Sequence, residues 1–77
     1  MGELDRIRWH CRRGMLELDI VLERFLMNVL PTLSDEEREA FKVLLERSDN
    51  DLWDLVCGRA EPDTGPQARI IGRLRAL

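Results

Sequence analysis

His10, Cys11 and Cys57 are the residues of this 77-residue chain whose types suit covalent or metal chemistry. His10 and Cys11 are adjacent, so on a helix they point about 100° apart, a poor start for zinc ligands that must converge. With one histidine in the chain, a nucleophilic pairing has to join His10 to Cys11 or Cys57. Both cysteines fall on apolar stripes, where a thiol packs as a small hydrophobe. The five glycines are scattered and form no phosphate-cradling loop. Carboxylate pairs such as Asp35 and Glu39 belong to helix starts, where caps account for them. No catalytic set and no metal site is expected, and the chain is not read as an enzyme.

A second group suits recognition. Arg6, Arg8, Arg12 and Arg13 crowd around Gly14, with Trp9 among them and Glu17 following. On a helical wheel centred on Leu18, Met15, Leu22, Phe25 and Val29 fall within about 60° and mark a core stripe. Arg13, Glu17, Ile20 and Arg24 fall roughly 100–160° away by the same geometry. Glu17 follows Arg13 by four residues, so in helical backbone the two can pair, for about 0.2–0.5 kcal/mol. That makes a solvated charge pair one reading of the segment. Leu16 and Ile20 point away from the core stripe among charges. Either they form an apolar docking spot ringed by arginines, or a neighbouring helix buries them. Trp9 has the same two readings, interface anchor or half-buried bundle residue. Gly14 offers backbone that another molecule can approach closely.

The elements that must position these residues are helices. Leu4, Ile7 and Cys11 mark a first helix ending near Arg12-Arg13, where Gly14 interrupts. Met15 to Val29 carries a broad apolar stripe, and Pro31 ends that helix. Ser34 with Glu37 forms a capping box opening a third helix through Phe41, Leu44 and Leu45 to about Arg47. Ser48-Asp49-Asn50 caps a short fourth helix of Leu52, Trp53, Leu55 and Val56, stopped by Gly58. Ala60 to Pro66 reads as a loop, and Thr64 with Gln67 repeats the capping-box pattern before a last helix carrying Ala68, Ile71 and Leu74. The predicted architecture is all-α, a small five-helix bundle forming one domain over residues 1–77.

Charge narrows the partners. The net charge of −3 argues against nucleic-acid binding by bulk positive charge. Eleven of the twelve basic residues are arginine, which favours planar bidentate contacts. Residues 34–54 hold eight acids against three bases, whereas residues 66–77 hold Arg69, Arg73 and Arg75 with no acid, a pattern expected of two solvated faces. No apolar run reaches the roughly 20 residues that span a bilayer, and the N-terminus lacks the apolar region of a signal peptide. A cytoplasmic protein with reduced thiols and no membrane insertion is the expectation.

Arg13-Gly14-Met15-Leu16-Glu17 resembles the RGxxE motif of the succinate dehydrogenase assembly (flavinylation) factor family. The likeness extends to Arg8-Trp9, to Leu18-Asp19, to Leu33-Ser34 with Glu37, to Phe41 with Leu44-Leu45-Glu46, and to Asp49 through Leu52. It covers about residues 4–60. The fourth helix departs from the family habit of Phe then Trp after Asp-Leu, since Trp53 here follows Leu52 directly, and the C-terminal helix matches least. The resemblance implies a five-helix protein that binds the flavoprotein subunit of succinate dehydrogenase, and of fumarate reductase. It implies promotion of covalent FAD attachment to a histidine of that subunit, at the flavin 8α-methyl carbon through a quinone-methide-like tautomer. FAD is then held by the partner, with no cofactor kept by this chain. The motif transfers onto Arg13, Gly14 and Glu17, with Arg8, Trp9, Arg12, Leu16 and Ile20 around them as the partner-binding set. Gly14→Arg is expected to block docking while leaving the fold intact. A monomer is expected in the free state. The competing expectation is a helical regulatory module of antitoxin type, binding a toxin or nucleic acid through the arginine-rich first helix.

Overall fold

Apolar periodicity and capping chemistry divide the described residues into five α-helices. A computed structural model describes residues 2–63 and 65–77. Helix α1 spans Glu3–His10, α2 Leu16–Asn28, α3 Asp35–Leu44, α4 Asp49–Cys57 and α5 Gly65–Arg75. A single turn of 3₁₀ helix, Leu30–Thr32, joins α2 to α3 and was not anticipated. Its cause is Pro31, which cannot donate to an α-helical ladder, together with Thr32, whose hydroxyl and amide both donate to the Val29 carbonyl.

The caps act where the sequence places them. The Ser34 hydroxyl accepts from the Glu37 amide while the Glu37 carboxylate accepts from the Ser34 amide, a complete capping box. Ser48 accepts from the Asp51 amide at the start of α4. Gly58, at φ +85°, ends α4 in the left-handed region. There the Arg59 amide donates to Asp54 and the Gly58 amide to Leu55, the paired bonds of a Schellman turn.

Other boundaries differ from expectation. Helix α1 stops at His10, short of Arg12-Arg13, because Asp19 captures the next free amides. Helix α3 ends at Leu44 and finishes in tight turns through Arg47. Gly65 and Pro66 open α5 rather than closing a loop, since a proline in the first turn forfeits no ladder bond. The Thr64 half of the second capping box lies outside the described residues. On α5 the buried positions are Gln67, Ile70, Ile71 and Leu74, while Ala68 is exposed.

The core gathers Leu18, Leu22 and Phe25 of α2, Phe41 and Leu44 of α3, Leu52 and Leu55 of α4, and the α5 isoleucines. Phe25 and Phe41 meet at its centre with ring centroids 4.6 Å apart. Helix α5 packs mainly on α3 and α4. Within α1 only Ile7 is buried, followed by Cys11 at the helix end, so this eight-residue helix lies on the outside of the core.

Candidate functional site

Arg13 is where the structure departs most from a simple docking patch. It lies in the turn between α1 and α2, outside helical backbone, so the i to i+4 pairing with Glu17 does not form. Its guanidinium turns inward and its side chain is 12% exposed. Nε donates to Asp49 Oδ1 at 2.7 Å, Nη1 to the Leu45 carbonyl at 2.5 Å and to the His10 carbonyl at 3.1 Å, and Nη2 to the Arg47 carbonyl. The Leu45 and Arg47 carbonyls follow α3, where the negative end of the helix dipole and unbonded acceptors favour a cation. Asp49 is the first residue of α4. One planar guanidinium therefore ties the α1–α2 turn to the α3–α4 turn, a task suited to the fork of arginine.

The backbone of the same turn is held by a second carboxylate. The Arg13 amide donates to Asp19 Oδ1 at 2.8 Å and the Gly14 amide to Asp19 Oδ2 at 3.2 Å. Met15, at the N-cap of α2, has no side-chain acceptor, and Asp19 reaches back from the first turn of the helix to the two amides that precede the cap. Gly14 has φ +84°, and a Cβ there would meet nothing within 4 Å. The glycine answers a conformational demand rather than a steric one within this chain. Gly14→Arg therefore strains the turn itself, contrary to the expectation of an undisturbed fold.

Beyond this turn α2 presents a face that the core does not use. Glu17 is exposed, with no hydrogen bond or ion pair among the described residues. Leu16 is 70% and Ile20 43% exposed, so no helix covers them. Trp9 is 67% exposed, not half-buried. Met27, 72% exposed, lies at nearly the same wheel angle as Leu16 and Ile20, opposite the core residues of α2. Met27 lies outside the face read from the sequence, and its eleven-residue spacing from Leu16 was the available signal. An open hollow of about 570 Å³ runs between α1 and the end of α2, lined by Leu4, Ile7, Arg8, Leu26, Met27 and Leu30 among others. Arg8 and Arg12 border a neighbouring hollow with Cys11 and Glu23. The side chains of Arg6, Arg8, Arg12 and Arg24 carry no hydrogen bond or ion pair among the described residues.

The arrangement offers polar and apolar contacts without reactive groups. Cys11 is buried, and that burial pushes its thiol from the ordinary 9.0 up to about 12, which keeps it protonated and inert. Cys57 is exposed, not on the buried side of α4 as its stripe suggested. Both cysteines are free. Among the described residues no cluster of histidine, cysteine and carboxylate side chains could hold a metal ion. No helix of the described residues is long and apolar enough to cross a membrane.

Comparison with known proteins supplies the context. The family model described as flavinator of succinate dehydrogenase matches residues 5–77, so the family pattern continues through α5 and past the limit near residue 60 expected above. The chain is 43% identical over 72 residues to the FAD assembly factor SdhE of Coxiella burnetii, spanning 94% of this chain and 88% of that one. It is 40% identical over 77 residues to the FAD assembly factor SdhE of Methylococcus capsulatus, spanning 100% and 93%. The protein of the same name from Pseudomonas aeruginosa is 42% identical over 69 residues, spanning 90% and 82%. None of the three is named as an antitoxin.

Proposed function

The chain belongs to the family of flavinators of succinate dehydrogenase, and on that basis we propose that it binds the flavoprotein subunit of that enzyme and promotes covalent attachment of FAD to it. The observation that carries this reading is the family match over residues 5–77. The face built on Glu17, Leu16, Ile20, Trp9, Arg8 and Arg12 is the docking surface, reached over the exposed Gly14 backbone. Arg13 contributes from within, holding the turn. Leu4 and Met27 extend the apolar part of that surface.

FAD is the partner's group, and the bond-forming chemistry belongs to the flavin and the partner's own side chain. This protein supplies binding energy that favours one arrangement of the unassembled subunit, with attacking and accepting atoms held close. Unpaired, exposed Glu17 suits a donor on the flavoprotein, and the free arginines suit its carboxylates. The fumarate reductase flavoprotein is a second partner in the same reading. The free protein is a single-domain monomer of the cytoplasm.

Deleting the gene in its host and measuring flavin fluorescence on the denatured flavoprotein band tests the proposal. Loss of covalent flavin, restored by the wild-type gene and not by Glu17→Ala, is the expected result. Undiminished covalent flavin after deletion would overturn it.

A further inference from the structure

The α1–α2 turn gives the core only Cys11 and part of Met15, yet six hydrogen bonds fix it, from the Arg13 side chain and from the Arg13 and Gly14 amides. Two carboxylates supply the charged acceptors. Asp19 takes the two successive backbone amides, and Asp49 takes the guanidinium from the start of α4. Leu16 and Glu17 follow this turn directly, so its conformation sets where α2 begins and how both side chains face outward. Glu17 and Asp19 share the first turn of α2, about 160° apart on the wheel, and divide the work: Glu17 looks out while Asp19 looks back.

We propose that Asp19 and Asp49 are positioning residues for flavoprotein binding, which lock the Arg13–Gly14 turn from its backbone side and its side-chain side so that Glu17 and Leu16 are presented ready-ordered. This deepens the reading under Proposed function and rests on it. Ordering the turn in the free protein removes an entropic cost that association would otherwise bear. Neither carboxylate needs to touch the flavoprotein. The working unit is then larger than the five-residue motif, because it includes a second acid from the first turn of α2 and one from the start of α4.

Purified wild type, Asp19→Asn, Asp49→Asn, Glu17→Ala and the double variant Asp19→Asn/Glu17→Ala are titrated against the apo-flavoprotein subunit, well below their melting temperatures. Asp19→Asn should keep its helical circular-dichroism spectrum and bind about tenfold more weakly, the scale of one lost charge-assisted hydrogen bond. Covalent flavin yield should return to the wild-type level when more of this variant is added, a shift in half-saturation without a change in plateau. In the Glu17→Ala background, Asp19→Asn should cost clearly less than tenfold, since only Leu16 is left to present. Wild-type affinity for Asp19→Asn, or losses that simply add, would overturn the proposal. Should Asp19→Asn fail to fold, Asp49→Asn decides by the same criteria. If the wild type itself does not bind the subunit, the functional reading falls and this inference with it. If the wild type binds and Asp19→Asn binds equally, only the positioning role is lost.

Discussion

At the scale of single residues, the most informative side chain is Arg13, which the sequence placed beside Glu17 and the fold places against Asp49. A charge-assisted hydrogen bond in a partly buried setting contributes about 1.5–3 kcal/mol. Arg13→Ala should therefore lower unfolding free energy by about 2–3 kcal/mol in urea melts, and Arg13→Lys should recover less than half of it. A lysine that restored full stability would show that charge alone suffices. Cys11 gives a second prediction at this scale. Its thiol ionises near 12 when folded against 9.0 ordinarily, so above pH 9 the unfolded chain gives up a proton that the folded chain keeps. Stability attributable to this residue must fall as pH rises from 9 toward 12, at about 1.4 kcal/mol per pH unit. Urea midpoints compared at pH 8 and pH 10 should show this slope in the wild type and lose it in Cys11→Ala. A variant with the same slope would assign it elsewhere. Exposed Cys57, by contrast, should react with a thiol reagent in the native protein, leaving Cys11 to react on unfolding.

At the scale of elements, capping chemistry was the most legible part of the sequence. Ser34 with Glu37, Ser48 and Gly58 act at the residues their types predicted, because each satisfies orphan helix-end groups locally. Ser34→Ala should cost about 1 kcal/mol by thermal or urea unfolding, and a loss near zero would mean water replaces the cap. The backbone amide of Ser34 holds the Glu37 carboxyl below its ordinary range. Its stabilising effect is present above the usual carboxylate range and fades as pH drops through the lowered value, so Glu37→Gln should flatten the acid limb of the stability curve. What the sequence concealed is instructive in the opposite way. Helix α1 ends early and Arg13 turns inward because of Asp19 and Asp49, acceptors six and thirty-six residues away. No local pattern announces such partners, and the 3.6-residue wheel misassigned Arg13 by extending helical backbone through a glycine at φ +84°. Exposure was equally hidden. Leu16 and Ile20 could have been covered by a neighbour, and only the packing of α3, α4 and α5 on the other side of α2 leaves them free. The angle of Glu17 on the α2 wheel, away from Leu18 and Leu22, was legible from periodicity, whereas the turn that starts the helix was not.

At the scale of the whole molecule, the arginines divide into two populations. Arg13, Arg38, Arg47, Arg59, Arg69, Arg73 and Arg75 are engaged within the fold. The basic C-terminus and the acidic stretch before it stay solvated yet join across the surface: Arg69 of α5 reaches Glu36 at 3.3 Å and Glu37 at 3.6 Å at the start of α3, and Arg75 donates to the Leu55 and Ala60 carbonyls. The guanidinium groups of Arg6, Arg8, Arg12 and Arg24 remain without intramolecular partners among the described residues, all on α1, α2 or the turn between them. A chain of net charge −3 therefore carries its uncommitted positive charge on the elements that also expose Trp9, Leu16 and Ile20. Exposed charges of this kind act on encounter more than on residence, and salt screens them over about 8–10 Å. Association with the flavoprotein should accordingly slow as salt rises, and Arg8→Glu/Arg12→Glu should reduce the association rate about tenfold at low ionic strength while flattening its salt dependence. Arg69→Glu alters net charge in the same direction but sits where α5 meets α3, so it should leave association nearly unchanged and cost under about 1 kcal/mol of stability. Stopped-flow mixing of each variant with the apo-flavoprotein separates the two effects. Equal slowing by Arg69→Glu, at half the charge change, would reduce the basic side to a matter of net charge, whereas loss confined to Arg8 and Arg12 places the steering field beside Gly14 and Glu17.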